Sequence, residues 1–360
     1  MKVHWKKYIL KFKFDAGTSR GILKNKTSYF IFMEDDSGAT GIGECSILPG
    51  LSMDDRPEFE TQLSQVCSDI QHLGVNDYTS LIQFMENQLG HNWPSIKMGI
   101  ETAFLDHKNG GERRIFINNF FNGEGIPING LIWMGDKRFM LDQVKEKLES
   151  GFKCIKIKIG AIDFDTELEV LRYVRNQFSE RDITLRVDAN GEFDMQNVMG
   201  KLSHLEKLKI HSIEQPIKSG QWESMQYICN HSPIPVGLDE ELIGAYTYPY
   251  KKRLIEQIQP QYLILKPSLL GGFQATSEWI ELAKSNNTGW WVTSALESNI
   301  GLNAICQYTF GFEAEMEQGL GTGALFGNNI KSPLMVEAGN IVYKKDRLWD
   351  YSGLDIQSIE

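Results

Sequence analysis

Apolar and polar residues alternate with a period of two over residues 3–14, again over 27–33, and over 39–45. Side chains two apart share one face of a strand, so this alternation predicts half-buried strands. Between the first two runs lies Asp15-Ala-Gly-Thr-Ser-Arg-Gly21, a series of turn formers that reads as a flexible polar loop. A second loop, 46–52, contains Pro49-Gly50 and ends the third strand. Apolar residues then recur at helical spacing over 55–73, 81–88 and 96–107. Residues 1 to about 125 thus read as an α+β domain with a small antiparallel sheet. Residues 15–21 and 47–52 are lid candidates, with plain surface loops the more general reading.

The texture changes after Pro127. Short apolar runs at 128–133, 154–159, 184–187, 212–214, 236–239, 262–265, 290–293 and 316–320 alternate with amphipathic stretches such as 137–150, 165–178, 195–208, 221–229, 273–284 and 300–310. Strands and helices alternating in this way mean βαβ units and a parallel sheet. Eight strands with seven intervening helices point to a closed barrel rather than an open doubly wound sheet. No Gly-x-Gly-x-x-Gly follows an early strand. Gly319-Leu-Gly-Thr-Gly323 lacks that spacing and a convincing helix after it, which argues against a dinucleotide-binding fold.

Composition narrows the function. The 360 residues carry a net charge of −10, with pI near 5.3. Nucleic acids and anionic membrane surfaces call for clustered Lys and Arg, so neither is an expected partner. No run of about 18 apolar residues marks a membrane span, and the lysine-interleaved N-terminus is not a signal peptide. Five scattered cysteines give neither a disulfide framework nor a zinc knuckle. Reduced thiols in a cytoplasmic protein are the simplest account.

The second barrel strand, Cys154-Ile-Lys-Ile-Lys-Ile-Gly160, puts three isoleucines on one face and Lys156 and Lys158 on the other. Burying an ammonium costs several kcal/mol unless something pairs with it. Taken alone, an edge strand with solvated lysines accounts for the pattern. The following strands reverse that reading, because Asp188, Glu214, Asp239 and Lys266 end them in turn. Their spacings after Lys158 are 30, 26, 25 and 27 residues, one βα unit each. Strand C-termini of a barrel converge on one mouth, where active sites of this fold lie. Singly, Asp188 suits a helix N-cap, Glu214 a loop, and Asp239 the start of the solvated acidic run 239–241. On adjacent strands, flanked by lysines, the three read as one site. Clustered carboxylates repel one another and need a cation. An all-oxygen set favours a hard ion, Mg²⁺ ahead of Mn²⁺ or Ca²⁺. Arg186, two residues before Asp188, shares its inward face and is read equally as an anchor for an anionic substrate or as half of a buried ion pair. His211 and His231 lie at strand starts and read as structural.

The series Lys-x-Lys, Asp, Glu, Asp, Lys at the ends of strands two to six resembles the enolase superfamily, muconate-lactonising-enzyme subgroup. Gly41-Ile-Gly-Glu-Cys45, Ile100-Glu-Thr-Ala-Phe-Leu-Asp106 and Asn129-Gly130 are also similar to family positions, so the resemblance covers nearly the whole chain. It implies a (β/α)7β TIM-like barrel over about 126–323 with an N-terminal α+β capping domain, completed by residues from about 324 to 360. It implies Mg²⁺ on Asp188, Glu214 and Asp239, taking the carboxylate of a small-molecule substrate. Lys158 would be the base that removes the α proton. It must be neutral to act: desolvation and the neighbouring Lys156 and Lys266 favour that form, while unneutralised carboxylates oppose it. Lys156 would tune Lys158, and Lys266 would stabilise the enediolate from the opposite wall or act as a second base. Asn190 and Glu240, each just past a ligand, would support the first shell of ligands, and Ser294 would face the substrate.

Within the subgroup, Thr293-Ser-Ala-Leu-Glu-Ser-Asn-Ile-Gly301 and Gly319–Gly323 are similar to the o-succinylbenzoate synthase family. That implies dehydration of 2-succinyl-6-hydroxy-2,4-cyclohexadiene-1-carboxylate through an enediolate. The alternative is an isomerase on the same scaffold, an N-acylamino acid racemase or a dipeptide epimerase. The epimerases resemble one another in an Asp-x-Asp at the eighth strand, where this chain has Gly319-Leu-Gly-Thr322. No histidine stands near Ser294 for a mandelate-racemase-like pair. A non-catalytic binding protein would not need two lysines poised against a metal.

Overall fold

In the computed structural model, which describes residues 1–18, 21–160, 162–313 and 316–354, the alternating N-terminal runs form three strands. β1 (Lys2–Thr18), β2 (Gly21–Glu34) and β3 (Thr40–Ser46) make an antiparallel sheet in that order. Its period-two pattern sorts the side chains as expected. Tyr29, Ile31 and Met33 join the apolar core of α1 (Phe59–Leu73), α2 (Tyr78–Leu89) and α3 (Pro94–Lys108). Phe30 and Phe32, on the other face, pack with Ile300, Ile330 and Leu354. The glycines of Gly41-Ile-Gly43 have a steric cause. A Cβ on Gly41 would lie 2.1 Å from the Ala103 carbonyl oxygen, and one on Gly43 would lie 1.8 Å from that of Gly99, so α3 rests directly on β3.

Of the loop expected at 15–21, residues 15–18 and 21 are strand instead. After an irregularity between Lys11 and Ala16, pairing resumes as Ala16–Leu23, Gly17–Ile22 and Thr18–Gly21. Gly17 bridges Met134 on the barrel rim, and Phe12 and Phe14 pack on Trp133. Tertiary docking thus overrides turn-forming composition. The hairpin tip, residues 19–20, lies outside the described residues, and with it part of the expected lid.

β4 (Ile126–Pro127) leads into a parallel seven-stranded sheet. Its strands are β5 (Gly130–Ile132), β6 (Cys154–Lys158), β7 (Thr184–Asp188), β8 (Ser212–Glu214), β9 (Val236–Leu238), β10 (Tyr262–Leu265) and β11 (Gly289–Val292), adjacent in chain order. Between and after them run α4 (Lys137–Glu149), α5 (Phe164–Arg175), α6 (Val198–Lys207), α7 (Trp222–His231), α8 (Tyr248–Ile258), the short α9 (Pro267–Leu270), α10 (Phe273–Ser285) and α11 (Asn299–Phe310). Ile155 and Ile157 of β6 face outward into a large apolar core with Leu168 and Leu171 of α5, which leaves the lysines facing inward.

The eighth segment, expected as a strand over 316–320, makes two isolated parallel bridges, Gln318 to Ile128 and Gly319 to Thr293. They touch both edges of the sheet and close the ring. β12 (Leu334–Glu337) pairs with β13 (Asn340–Tyr343), which pairs with β4, and Gly327 donates to Lys11 of β1, so the C-terminal stretch binds both halves of the molecule. Among the described residues no helix is long and apolar enough to cross a membrane. All five cysteines are unpaired and buried.

Candidate active site

Strand register assembles the mouth. Lys158, Asp188 and Glu214 pair across β6, β7 and β8 in one row, with Lys156, Arg186 and Ser212 in the row beneath. Asp239 and Lys266 follow the last residues of β9 and β10. β6 and β10 are separated by three strands, so Lys158 and Lys266 rise from opposing walls.

The ammonium of Lys156 lies 2.5 Å from Glu214 Oε2 and 3.0 Å from Asp188 Oδ2. Lys158 donates to Asn190 Oδ1 at 2.7 Å and to Asp188 Oδ2 at 3.2 Å. Lys266 is 2.5 Å from Asp239 Oδ2. Asn190, with φ of +43°, is held by its own backbone N–H on Asp188 Oδ1 and passes its amide N–H to Glu240 Oε1. The chain therefore brings together the three lysines, the three acids, Asn190 and Glu240. Burial raises the carboxyl of Asp188, but Lys156, Lys158 and Lys266 outweigh it and hold the group well below the usual range. Burial, together with repulsion from Asp188 and Asp239, pushes Glu214 up to about 7 against the pull of Lys156. Burial alone would lower Lys266, yet Asp239 and Glu240 raise it.

Two expected residues land differently from one another. Arg186 does not reach the mouth. It is 1% exposed, donates to the Glu317 carbonyl at 2.7 Å, faces the Glu317 carboxylate at 3.7 Å, and lies over the Trp291 ring at 4.1 Å. Its row lies one step deeper than that of Asp188, and its contacts are those of the ion-pair reading. Ser294 does line the cavity and donates to Glu297 Oε2. The cavity, of about 160 Å³, is lined by Lys156, Lys158, Asp188, Asn190, Lys266 and Ser294 on its polar side. Leu23, Leu48, Leu131, Trp133 and Leu296 supply an apolar wall. Leu23 and Leu48 come from the hairpin and from the loop 46–52, contacts no local pattern discloses. Asn129 and Thr322, which also line it, were legible only as family positions or as part of a glycine-rich run.

These side chains suit a hard cation in chemistry. Asp188, Glu214 and Asp239 offer buried oxygens alone, and Glu214 Oε1 is buried with no hydrogen-bond partner. Among the described residues no three His, Cys, Asp or Glu side chains stand grouped to hold an ion as they are. Here lysine ammonium ions face the carboxylates, and that of Lys156 already sits between Asp188 and Glu214.

Fold and mouth together define a barrel with buried acids and opposed lysines at its rim. The chain belongs to the enolase C-terminal domain-like family, whose model matches residues 140–346. It is 42% identical to an o-succinylbenzoate synthase of Desulfotalea psychrophila, over 94% of this chain and 98% of that one. The crystal structure of MenC from Desulfotalea psychrophila LSv54 matches with a TM-score of 0.82 and 38% identity, over 95% and 99% of the two chains. A muconate lactonizing enzyme from Pseudomonas fluorescens shares the fold, with a TM-score of 0.80 at 19% identity over 98% and 97%.

Proposed function

We propose that the protein is an o-succinylbenzoate synthase, a hydro-lyase that dehydrates 2-succinyl-6-hydroxy-2,4-cyclohexadiene-1-carboxylate in menaquinone biosynthesis. The observation that carries this reading is the placement of Lys158 and Lys266 on opposing walls with three buried acids between them. The near full-length likeness to a synthase supports the choice of reaction.

The acids would hold a divalent ion such as Mg²⁺, which would stabilise negative charge developing on the substrate carboxylate. Lys158, as the free amine, takes the proton α to that carboxylate. The electron pair enters the enediolate, which Lys266 stabilises through its ammonium. The ammonium formed on Lys158 then protonates the departing 6-hydroxyl, water leaves, and the ring becomes aromatic. Asn190 orients Lys158 through the 2.7 Å contact, and Glu240 orients Asn190. Lys156, below, fixes Asp188 and Glu214. The apolar wall excludes water from the ring. The unpaired, buried cysteines suit a reducing cytoplasm, and the acidic chain suits neither nucleic acid nor a membrane surface.

Ultraviolet detection of o-succinylbenzoate tests the reading. Wild-type protein should form it with Mg²⁺, lose activity in chelator and regain it with Mg²⁺. No product in any condition overturns the proposal. The opposed lysines also favour a second reading, racemisation of an N-acyl amino acid by two bases. Exchange of the α proton in D2O, without dehydration of the cyclohexadiene, would select it.

A further inference from the structure

The barrel has a second, larger cleft of about 430 Å³ beside the first, on the side where no eighth helix packs. Beyond Gly319 the chain makes only a four-residue turn, Thr322–Leu325. The cleft and the inner cavity share one wall, which includes Asn129, Gly321 and Thr322.

That wall contains two anomalies. Asn129 is 4% exposed and its amide oxygen has no hydrogen-bond partner. Thr322 is 6% exposed and its hydroxyl has none either. A buried polar group left unpaired is destabilising, and native proteins rarely keep one without a use. Neighbours along the same seam show that the fold can satisfy such groups. Gln318 accepts from the Val292 N–H at 2.7 Å and donates to the Met316 carbonyl at 2.6 Å. Thr293 donates to the Gly319 carbonyl at 3.0 Å. Gln318 lines neither cavity and Thr293 lines the inner one with its hydroxyl already engaged, whereas Asn129 and Thr322 line both with those groups unpaired.

We propose that Asn129 and Thr322 form a subsite for the far oxygens of a succinyl arm, projecting from the substrate away from the strand-end acids towards the outer cleft. An amide, whose oxygen and nitrogen can exchange places by a flip, and a hydroxyl can both donate to a ketone or carboxylate oxygen. The lysines of the mouth are already engaged with carboxylates, so neutral donors recognise the arm without drawing its charge onto the metal-binding acids. The inference rests on the proposed function for its ligand. The arm is nevertheless common to the cyclohexadiene substrate, to o-succinylbenzoate and to N-succinyl amino acids, so it holds for either reaction.

Calorimetric titration of the full-length protein with Mg²⁺ present, using o-succinylbenzoate and armless benzoate, tests it. Asn129→Leu and Thr322→Val should each weaken o-succinylbenzoate about tenfold, the effect of one lost hydrogen bond, with benzoate changed less than about twofold. Thr322→Ser, which keeps the hydroxyl, should bind like wild type and guards against loss through misfolding. Equal losses for both ligands, no loss in either variant, or wild-type protein that prefers neither ligand would overturn the subsite. The two proposals fail separately. Turnover of the cyclohexadiene by the wild type, with o-succinylbenzoate affinity unchanged in both variants, removes the subsite alone. No turnover, with tighter binding of an N-succinyl amino acid than of the free amino acid and loss of that preference in Asn129→Leu, removes the synthase and keeps the subsite.

Discussion

Among the clusters of buried charge in the described residues, the one at the barrel mouth and the one where β3 meets α11 are built on opposite terms. In the second, Glu44 accepts from the Ser28 hydroxyl, from the Ser298 N–H and hydroxyl, and from the Gly301 N–H. Lys26, fully buried, donates to Ser28, and Glu297 accepts from Ser268 and Ser294. Both Glu44 oxygens and both Glu297 oxygens have donors. At the mouth, Glu214 keeps an orphaned oxygen, and repulsion between acids adds to burial in raising it. The carboxylates of the Glu44 cluster are satisfied throughout, while the candidate site is left short of partners.

The difference can be attacked directly. Lys158→Ala should lower turnover by about 10³-fold or more, the scale of a lost general base, while the thermal midpoint and metal binding hold. Retained product formation in the ultraviolet assay would remove Lys158 from its role. Glu214→Gln should lower turnover by about 10²-fold or more yet change stability by under about 1 kcal/mol, because the amide relieves repulsion and Lys156 keeps Asp188. Glu44→Ala should do the reverse. It strands Lys26, so urea unfolding should report a loss of about 3–5 kcal/mol. Equal stability losses in the two glutamate variants would erase the contrast.

The smallest effect concerns the barrel foot. Burial, then Arg186, holds His211 down at about 4. The unfolded chain binds a proton near the ordinary value, 6.5. Between these values the unfolded state carries the extra proton, so stability from neutral His211 is complete above 6.5 and drains away as pH falls towards 4. Thermal midpoints measured across that window should fall less steeply in His211→Phe than in wild type. Identical slopes would exclude His211 as a contributor.

The mouth was legible because its information is local and periodic. Lys156 and Lys158 declare a face by their spacing, and one charge per βα unit places Asp188, Glu214, Asp239 and Lys266 on one rim. Arg186 shows the limit of that logic. Period two gives its face but not its depth, and only the packed ring reveals Trp291 and Glu317 as its partners. The Glu44 cluster was hidden for another reason. Its partners lie 254 and 257 residues away, beyond any window a periodicity can read. α8 was concealed by its own composition, since Pro249 and the run Lys251-Lys-Arg253 mask the buried stripe of Leu254, Ile255 and Ile258. The stretch 15–21 failed as a loop because described residues on its two sides pair as strand, Ala16 with Leu23 and Gly17 with Ile22.

The ring is fastened by Gln318 against Ile128, residues 190 apart along the chain. On a ribosome, the second partner emerges long after every lysine and acid of the mouth has been made. A chain that stops between residues 266 and 318 holds the lysines and acids of the mouth but lacks the bridges that close the rim. Closure of the rim therefore depends on a contact made late in the chain.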